Sequence, residues 1–318
     1  MDVLYYQDNA ENVYNDLQSS QVVYLFESLA PKERLIDYYR LPKGHRNQNY
    51  LLSTDHGKFL MRVRKDILEF GDVEVEKAVF KNLDKGIRHP ERLCSYKDKG
   101  LEYSLYDFVE GKELSEILPN MPRRNAEEIF FNLGKKLAAI HSTKTFNVCG
   151  FLDEKLEVKE ALPPVLDWLS EFDTSKLSEW LGEELLNRVN YLVRRRHKEL
   201  EKMDSDICLV HGDCNGDNIL IGQGKLIFLD WEFVSAGHRY ADIGQLFRGV
   251  SGNEEIQTAF YNGYKEVLPQ ALDVDWWLMS KLRDLLSIVQ LISEEETNGA
   301  YLAMLESYFI HTLNLIDR

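Results

Sequence analysis

Three oxygen-bearing residues stand in fixed order within His211-Gly212-Asp213-Cys214-Asn215-Gly216-Asp217-Asn218-Ile219-Leu220-Ile221 and the following Leu226-Ile227-Phe228-Leu229-Asp230-Trp231-Glu232. Asn218 follows Asp213 by five positions, and Asp230 follows Asn218 by twelve. These types suit phosphoryl transfer, a reaction that asks for positioning and charge neutralisation more than for covalent help. One carboxylate is needed at the attacking hydroxyl, to orient it and accept its proton. A second must hold the Mg²⁺ that bridges phosphate oxygens, and a neutral amide oxygen can complete the coordination without excess charge. Asp213 on a loop, Asn218 at the loop's end and Asp230 after an apolar strand fit those tasks. A preference of turns for Asp, Asn and Gly explains Asp213, Asn215, Gly216 and Asp217 taken singly. It does not explain the His-Gly-Asp start, the apolar flanks, or a second acid at the end of a buried-looking strand.

The elements that must position these residues can be read from periodicity. Ile219–Ile221 anchors Asn218, and the strand Lys225–Leu229 aims Asp230 from a rigid element. Upstream, Asn49–Leu52 and Lys58–Val63 flank a Gly-containing loop, a hairpin signal. Val75, Val79, Phe80 and Leu83 have helical spacing within Val73–Leu83, and Leu101–Val109 reads as a strand ending at a hinge, Glu110-Gly111-Lys112. Beyond it the pattern turns helical: Ala126–His141 carries one apolar stripe, amphipathic stretches fill 160–203, and three more helices are expected near 254–267, 275–293 and 298–316. A β-rich first part and a helical second part predict an α+β, two-lobed protein.

With 318 residues, 44% of them apolar and 29% charged, the chain has the composition of a globular protein with a sizeable core. Its four cysteines form no C-x-x-C pair, so free thiols are expected. Residues Met1–Asn15 lack a basic stretch leading into an apolar run, and no apolar run reaches the ~18 residues of a spanning helix, so a cytoplasmic protein is expected. The net charge of −15 disfavours nucleic acid and anionic membranes as partners. Residues 1–110 hold 16 Lys+Arg and 19 Asp+Glu, and the remainder holds 22 and 34, so the second part carries −12. The clusters Glu254-Glu255 and Glu294-Glu295-Glu296 belong to it. That acidity serves either solubility or an acidic substrate lobe that attracts a cationic acceptor, while Trp231, Tyr240, Trp276 and Trp277 offer either a wall for a quaternary ammonium group or ordinary core packing.

The 211–232 block resembles the catalytic segment of the aminoglycoside phosphotransferase and choline kinase superfamily, patterned H-G-D-x-x-x-x-N-I-L, a hairpin, then I-D-W/F-E. The resemblance implies a protein-kinase-like fold, with a small β-rich N-lobe over residues 1–110 and a larger, mainly helical C-lobe over 111–318. It implies a small-molecule kinase with Mg²⁺-bound ATP or GTP as donor, Asp213 as catalytic base, Asn218 as a metal ligand and Asp230 as the main one, with His211 bracing the loop. Gly44-His45-Arg46-Asn47-Gln48-Asn49-Tyr50 resembles the nucleotide-binding turn, with Gly44 and Asn47 as its candidate contacts, since successive backbone N–H groups can meet phosphate oxygens. Phe59–Val63 resembles the strand bearing the phosphate-binding base. Here that base is Arg62 where many relatives carry Lys, and Arg64 faces the same side. Asp72–Lys77 resembles the start of the helix whose Glu pairs with that base, Glu76 being the better candidate and Glu74 the second. Leu105–Gly111 resembles the hinge that holds the nucleobase, near Phe108 and Val109, and Asp242 is expected to hold the catalytic loop through backbone N–H groups. The shared block does not choose among aminoglycosides, choline, ethanolamine, homoserine, thiamine and sugars. A protein kinase is disfavoured because no D-F-G, A-P-E or G-x-G-x-x-G segment is present. A non-catalytic nucleotide-binding protein is disfavoured because Asp213, Asn218 and Asp230 are all in place.

Overall fold

The computed structural model describes residues 17–41, 47–65, 72–98, 100–170, 172, 174–248, 250, 253–294 and 299–316. Among these, the first part is a five-stranded antiparallel sheet in the order β1-β2-β3-β5-β4, built from β1 (Leu35–Arg40), β2 (Gln48–Thr54), β3 (Lys58–Lys65), β4 (Arg92–Asp98) and β5 (Leu101–Asp107). The β2–β3 turn is closed by the Thr54 hydroxyl, which accepts from the amides of His56 and Gly57. One face of the sheet is apolar: Tyr50, Leu52, Met61, Val63, Tyr103 and Leu105 pack with Val22, Leu25 and Phe26 of helix α1 (Ser19–Leu29). Helix α1 is absent from the reading above, although the 22/25/26/29 spacing carries its signal. The opposite face alternates to Arg62, Arg64, Glu102, Ser104 and Tyr106, following the period-2 rule.

Helix α2 (Val73–Asn82) starts at Asp72, whose side chain caps it by accepting from Glu74 N. It buries Val75 and Val79 in the large core of the following part rather than in the sheet's own cluster. That core is built around α4 (Arg123–His141), preceded by β6 (Lys112–Glu113) and the short α3 (Leu114–Ile117). After α4 come β7 (Thr145–Phe146), β8 (Gly150–Leu152), β9 (Val158–Ala161), α5 (Val165–Leu169), α6 (Thr174–Arg195, broken at Gly182) and α7 (His197–Met203). Then follow β10 (Ile207–Val210), β11 (Ile219–Gly222), β12 (Lys225–Phe228), β13 (Ser235–His238), α8 (Arg239–Leu246), α9 (Glu254–Val267), α10 (Trp276–Glu294) and α11 (Gly299–Ile316). Strand β10 lies between β7 and β13 in one sheet, and β11 lies between β12 and β6 in another. The hinge expected at 110–112 therefore passes straight into a strand paired with the catalytic hairpin, Lys112 facing Ile221. The four cysteines carry free thiols, and no helix among the described residues is long and apolar enough to cross a membrane.

Helices α4 and α9 cross at two glycines. A Cβ on Gly134 would lie 2.2 Å from the Phe260 carbonyl oxygen, and one on Gly263 would lie 1.9 Å from that of Phe131. Only glycine allows that backbone approach. Gly263→Ala is expected to lower stability by about 1–3 kcal/mol through overpacking, read as a lower urea midpoint. An unchanged midpoint would show that α9 can shift aside freely.

Candidate active site

Four consecutive buried residues carry β10 through the interior, so the chain emerges at His211 with its direction set. Gly212 has φ +85°, and a Cβ there would lie 2.1 Å from the Phe233 carbonyl oxygen, so this position requires glycine. Next, Asn215 caps a 3₁₀ turn, Gly216–Asn218, by accepting from the amides of Asp217 and Asn218. Its own Nδ2 donates to Asp213 Oδ1 at 2.7 Å. Asn218 Nδ2 donates to Asp213 Oδ2 at 2.6 Å and to the Asp213 carbonyl at 3.0 Å, so these two bonds engage the amide nitrogen of Asn218 and not its oxygen. Strands β11 and β12 then return the chain to Asp230, which adopts the left-handed conformation at φ +57°. His211 Nε2 donates to the Leu229 carbonyl at 2.8 Å and Nδ1 accepts from Asp213 N at 3.3 Å, so the ring ties the two ends of the segment together. Burial pushes the Asp213 carboxyl up from its ordinary range, and neighbouring Asp230 adds to this against the hydrogen bond from Asn215.

Behind the loop lies Asp242 of α8, fully buried. It accepts from the amides of His211 (2.8 Å) and Gly212 (2.9 Å) and from His141 Nε2 (3.1 Å). The hydroxyl of Tyr264 accepts from Arg239 and donates to His141 Nδ1 at 2.7 Å, which leaves His141 neutral with its proton on Nε2. Burial is the largest influence on His141 and lowers its pKa against the pull of Asp242. Burial would raise Asp242, but the hydrogen bond from His141 and the surrounding donors outweigh it and hold the carboxyl below its ordinary value. Gln245, one turn further along α8, clamps the same loop: it accepts from Cys214 N at 2.9 Å and donates to the Gly212 carbonyl at 3.1 Å. Sequence reasoning missed Gln245, although its i+3 spacing from Asp242 on one helix face was visible.

On the sheet side, Arg62 Nη1 donates to Asp230 Oδ1 at 2.7 Å. Arg64 is instead buried against Glu102 at 2.9 Å, so Arg62 is the base that reaches the catalytic segment. The expected pairing of Glu76 with that base is not formed. Glu76 is held by Arg92 through two hydrogen bonds of 2.6 and 3.1 Å, because Arg92 of β4 bridges α2 and β5, while Arg62 is engaged by Asp230. Glu74 lies exposed on Lys77. Asn47 is buried, its Nδ2 donating to Glu232 at 3.2 Å and its Oδ1 lacking a partner, while Gly44 falls outside the described residues. Phe108 and Val109 are half-buried after β5, with the Phe108 amide bonded to the Lys58 carbonyl.

The aromatics weighed as a cation wall serve the core. Trp231 packs on His211 and Phe80, Tyr240 is buried, and Trp276 stacks on Tyr261 and Phe260. The face of Trp277 is taken by Lys281, whose Nζ lies 4.8 Å from the ring centroid. Burial lowers Lys281 to about 8 while its ammonium donates to the Phe247 carbonyl. Beside it Asp284 receives two bonds from Arg248, and Arg248 in turn acts electrostatically on Asp213. Lys281 and Asp284 were not singled out from the sequence. Glu255 pairs with Arg123 at the exposed start of α9, whereas the Glu294 side chain, Glu295 and Glu296 fall outside the described residues.

A family model described as phosphotransferase enzyme family matches residues 37–273. Among curated proteins, the chain is 26% identical over 212 residues to rat acyl-CoA dehydrogenase family member 11, covering 65% of this chain and 26% of that protein. The chain thus spans about a quarter of the length of the curated relatives it matches. A solved ternary complex of aminoglycoside phosphotransferase APH(4)-Ia with AMP-PNP and hygromycin B has a TM-score of 0.68 at 13% identity, over 92% of this chain and 97% of that one. Choline kinase from Cryptosporidium parvum has a TM-score of 0.61 at 17% identity, over 94% and 97%. At these identities the likeness is one of fold, and the protein-kinase-like architecture read from the catalytic block stands.

Neutral His141 sets a pH dependence. On acidification the unfolded chain protonates this ring near pH 6.5, while the folded state resists until lower pH, so stability is expected to fall as pH drops through about 6.5. Buried His238, also lowered by burial, adds to the fall. Urea midpoints between about pH 8 and about pH 5 measure this, with a shallower slope in His141→Gln; equal slopes for variant and parent would contradict it.

Proposed function

This chain belongs to the phosphotransferase enzyme family, and we propose that it transfers the γ-phosphoryl group of ATP or GTP to a hydroxyl of a small cationic molecule, aminoglycoside-like in charge. The observation that carries the reading is the meeting of Arg62 with the segment that bears Asp213, Asn218 and Asp230, Arg62 and Asp230 being 168 positions apart. Asp213 is the group for the acceptor hydroxyl. Two amide donors fix its carboxylate in orientation, and its raised pKa moves it toward the range in which a base accepts a proton at neutral pH.

Asp230 and the amide oxygen of Asn218 are the oxygen donors that would hold Mg²⁺, and the donor set fits that ion. The Arg62 guanidinium already places a positive charge on Asp230 Oδ1, so this carboxylate is built to face a cation. When bound, the ion would neutralise charge on the transferring phosphoryl group. Arg62, held beside Asp230, would meet the α- and β-phosphates, and Asn47, with its buried unpartnered Oδ1, is tied to Glu232, close to Asp230 in the chain. The acidity of residues 111–318 supports a cationic acceptor. The packing of Trp276 and the occupation of Trp277 by Lys281 weigh against a quaternary ammonium such as choline as the first choice.

Asp213→Asn is expected to leave nucleotide binding intact and cut turnover by the order of 10²–10⁴. Asp230→Ala is expected to abolish the Mg²⁺-dependent thermal stabilisation by nucleotide, and Asn218→Ala to weaken it less, since an amide carries no net charge. ADP or GDP release over aminoglycosides, choline, ethanolamine, homoserine, thiamine and sugars tests the acceptor. Near-parental turnover in Asp213→Asn overturns the base assignment, and turnover only of neutral acceptors overturns the cationic one.

A further inference from the structure

The polar face of the first sheet contains more buried charge than the phosphate-binding base alone requires. Arg92 is 6% exposed at its side chain and uses all three guanidinium nitrogens. Nε and Nη2 grip both oxygens of Glu76, while Nη1 donates to Glu102 at 3.0 Å and to Ser104 at 3.2 Å. Arg64 closes the group on the other oxygen of Glu102. The two buried arginines and two glutamates thus neutralise one another, which a desolvated group of this kind needs in order to be stable, while the exposed Lys97 ammonium lies 3.8 Å from Glu102 at the edge of the group. Arg62 is left outside that balance, with Asp230 as its counter-charge.

Tyr106 connects the two. Its ring lies 5.0 Å from the Arg92 guanidinium carbon and 5.6 Å from that of Arg62, both within cation–π reach. The register explains the placement: Arg92 lies opposite Tyr106, Arg62 lies opposite Ser104, and 104 and 106 share a face. A planar guanidinium locked by four hydrogen bonds has no freedom to move, so the ring resting on it is fixed, and the second guanidinium on that ring is fixed in turn.

We propose that Arg92 is a positioning residue for the nucleotide: locked by Glu76, it holds Arg62 in place across the Tyr106 ring. Glu76 then acts on the phosphate-binding base at one remove, through Arg92 and Tyr106, instead of pairing with it. The proposal rests on the nucleotide reading of the site given above. It concerns binding of the triphosphate and leaves the acceptor side untouched.

A double-mutant cycle separates this role from a merely structural one. Affinity for ADP and a non-hydrolysable triphosphate is measured by calorimetry, with melting temperature recorded without nucleotide. Arg92→Met and Tyr106→Leu are each expected to weaken nucleotide affinity about ten-fold, the factor for ~1.4 kcal/mol, with acceptor KM unchanged. In an Arg62→Met background neither is expected to weaken it further, and Arg92→Lys is expected to recover part of the loss. Where Arg92→Met fails to fold, because Glu76 and Glu102 lose their partner, the Tyr106→Leu cycle decides, since it leaves the ion network whole. Effects that add to Arg62→Met, or that move acceptor KM as much as nucleotide affinity, overturn the proposal. A parent protein that binds nucleotide through Arg62 but ignores Arg92 and Tyr106 overturns it alone, whereas a parent that binds no nucleotide overturns the kinase reading as well.

Discussion

A carboxylate with no access to water organises the molecule. Burying Asp242 costs several kcal/mol of hydration, offset only because two loop amides and the His141 ring all donate to it. Each donor belongs to a different obligation. The amides fix the backbone on either side of the Gly212 bend and hence the start of Asp213. His141 brings in α4, the Tyr264 hydroxyl brings in α9, and Arg239, bound to Asp206, brings in the start of β10. The loop that carries Asp213 is therefore held from behind, by the core.

The first sheet shows the same principle with two faces. Toward α1 it is an ordinary apolar layer. Toward the catalytic hairpin it buries Arg62, Arg64 and Arg92, which cannot shed their charge, so each must meet an acid. Glu76 and Glu102 come from the same part of the chain, and Asp230 comes from the other. The ion pair between Arg62 and Asp230 thus joins sheet to hairpin through a charge that neither part balances alone.

What could be read from the sequence was what local chemistry determines. The 211–232 block was legible because turn residues, apolar flanks and three oxygen donors sit within one short stretch, and α9 was legible to its ends because its stripe is strong and Asn253 caps it. The partner of Glu76 was not legible. It depends on β4, which the periodicity did not reveal, and on an irregular step between Arg92 and Cys94 in its pairing with β5. That step decides which face Arg92 takes, and no window around residue 92 contains the information. Lys281 and Asp284 were hidden for a related reason: each is a polar residue on a helix whose inward side is known only once its neighbours are in place.

The glycine crossing of α4 and α9 ties evolutionary drift to chemistry. Tyr264 follows Gly263 directly, and its hydroxyl is shared by His141 and Arg239. A lineage that accepted a side chain at 263 would have to spread the two helices, and the spreading would be felt first at that shared hydroxyl. Positions 134 and 263 should therefore change together or not at all among relatives, and this pair of small residues would mark descent as faithfully as the acids of the 211–232 block.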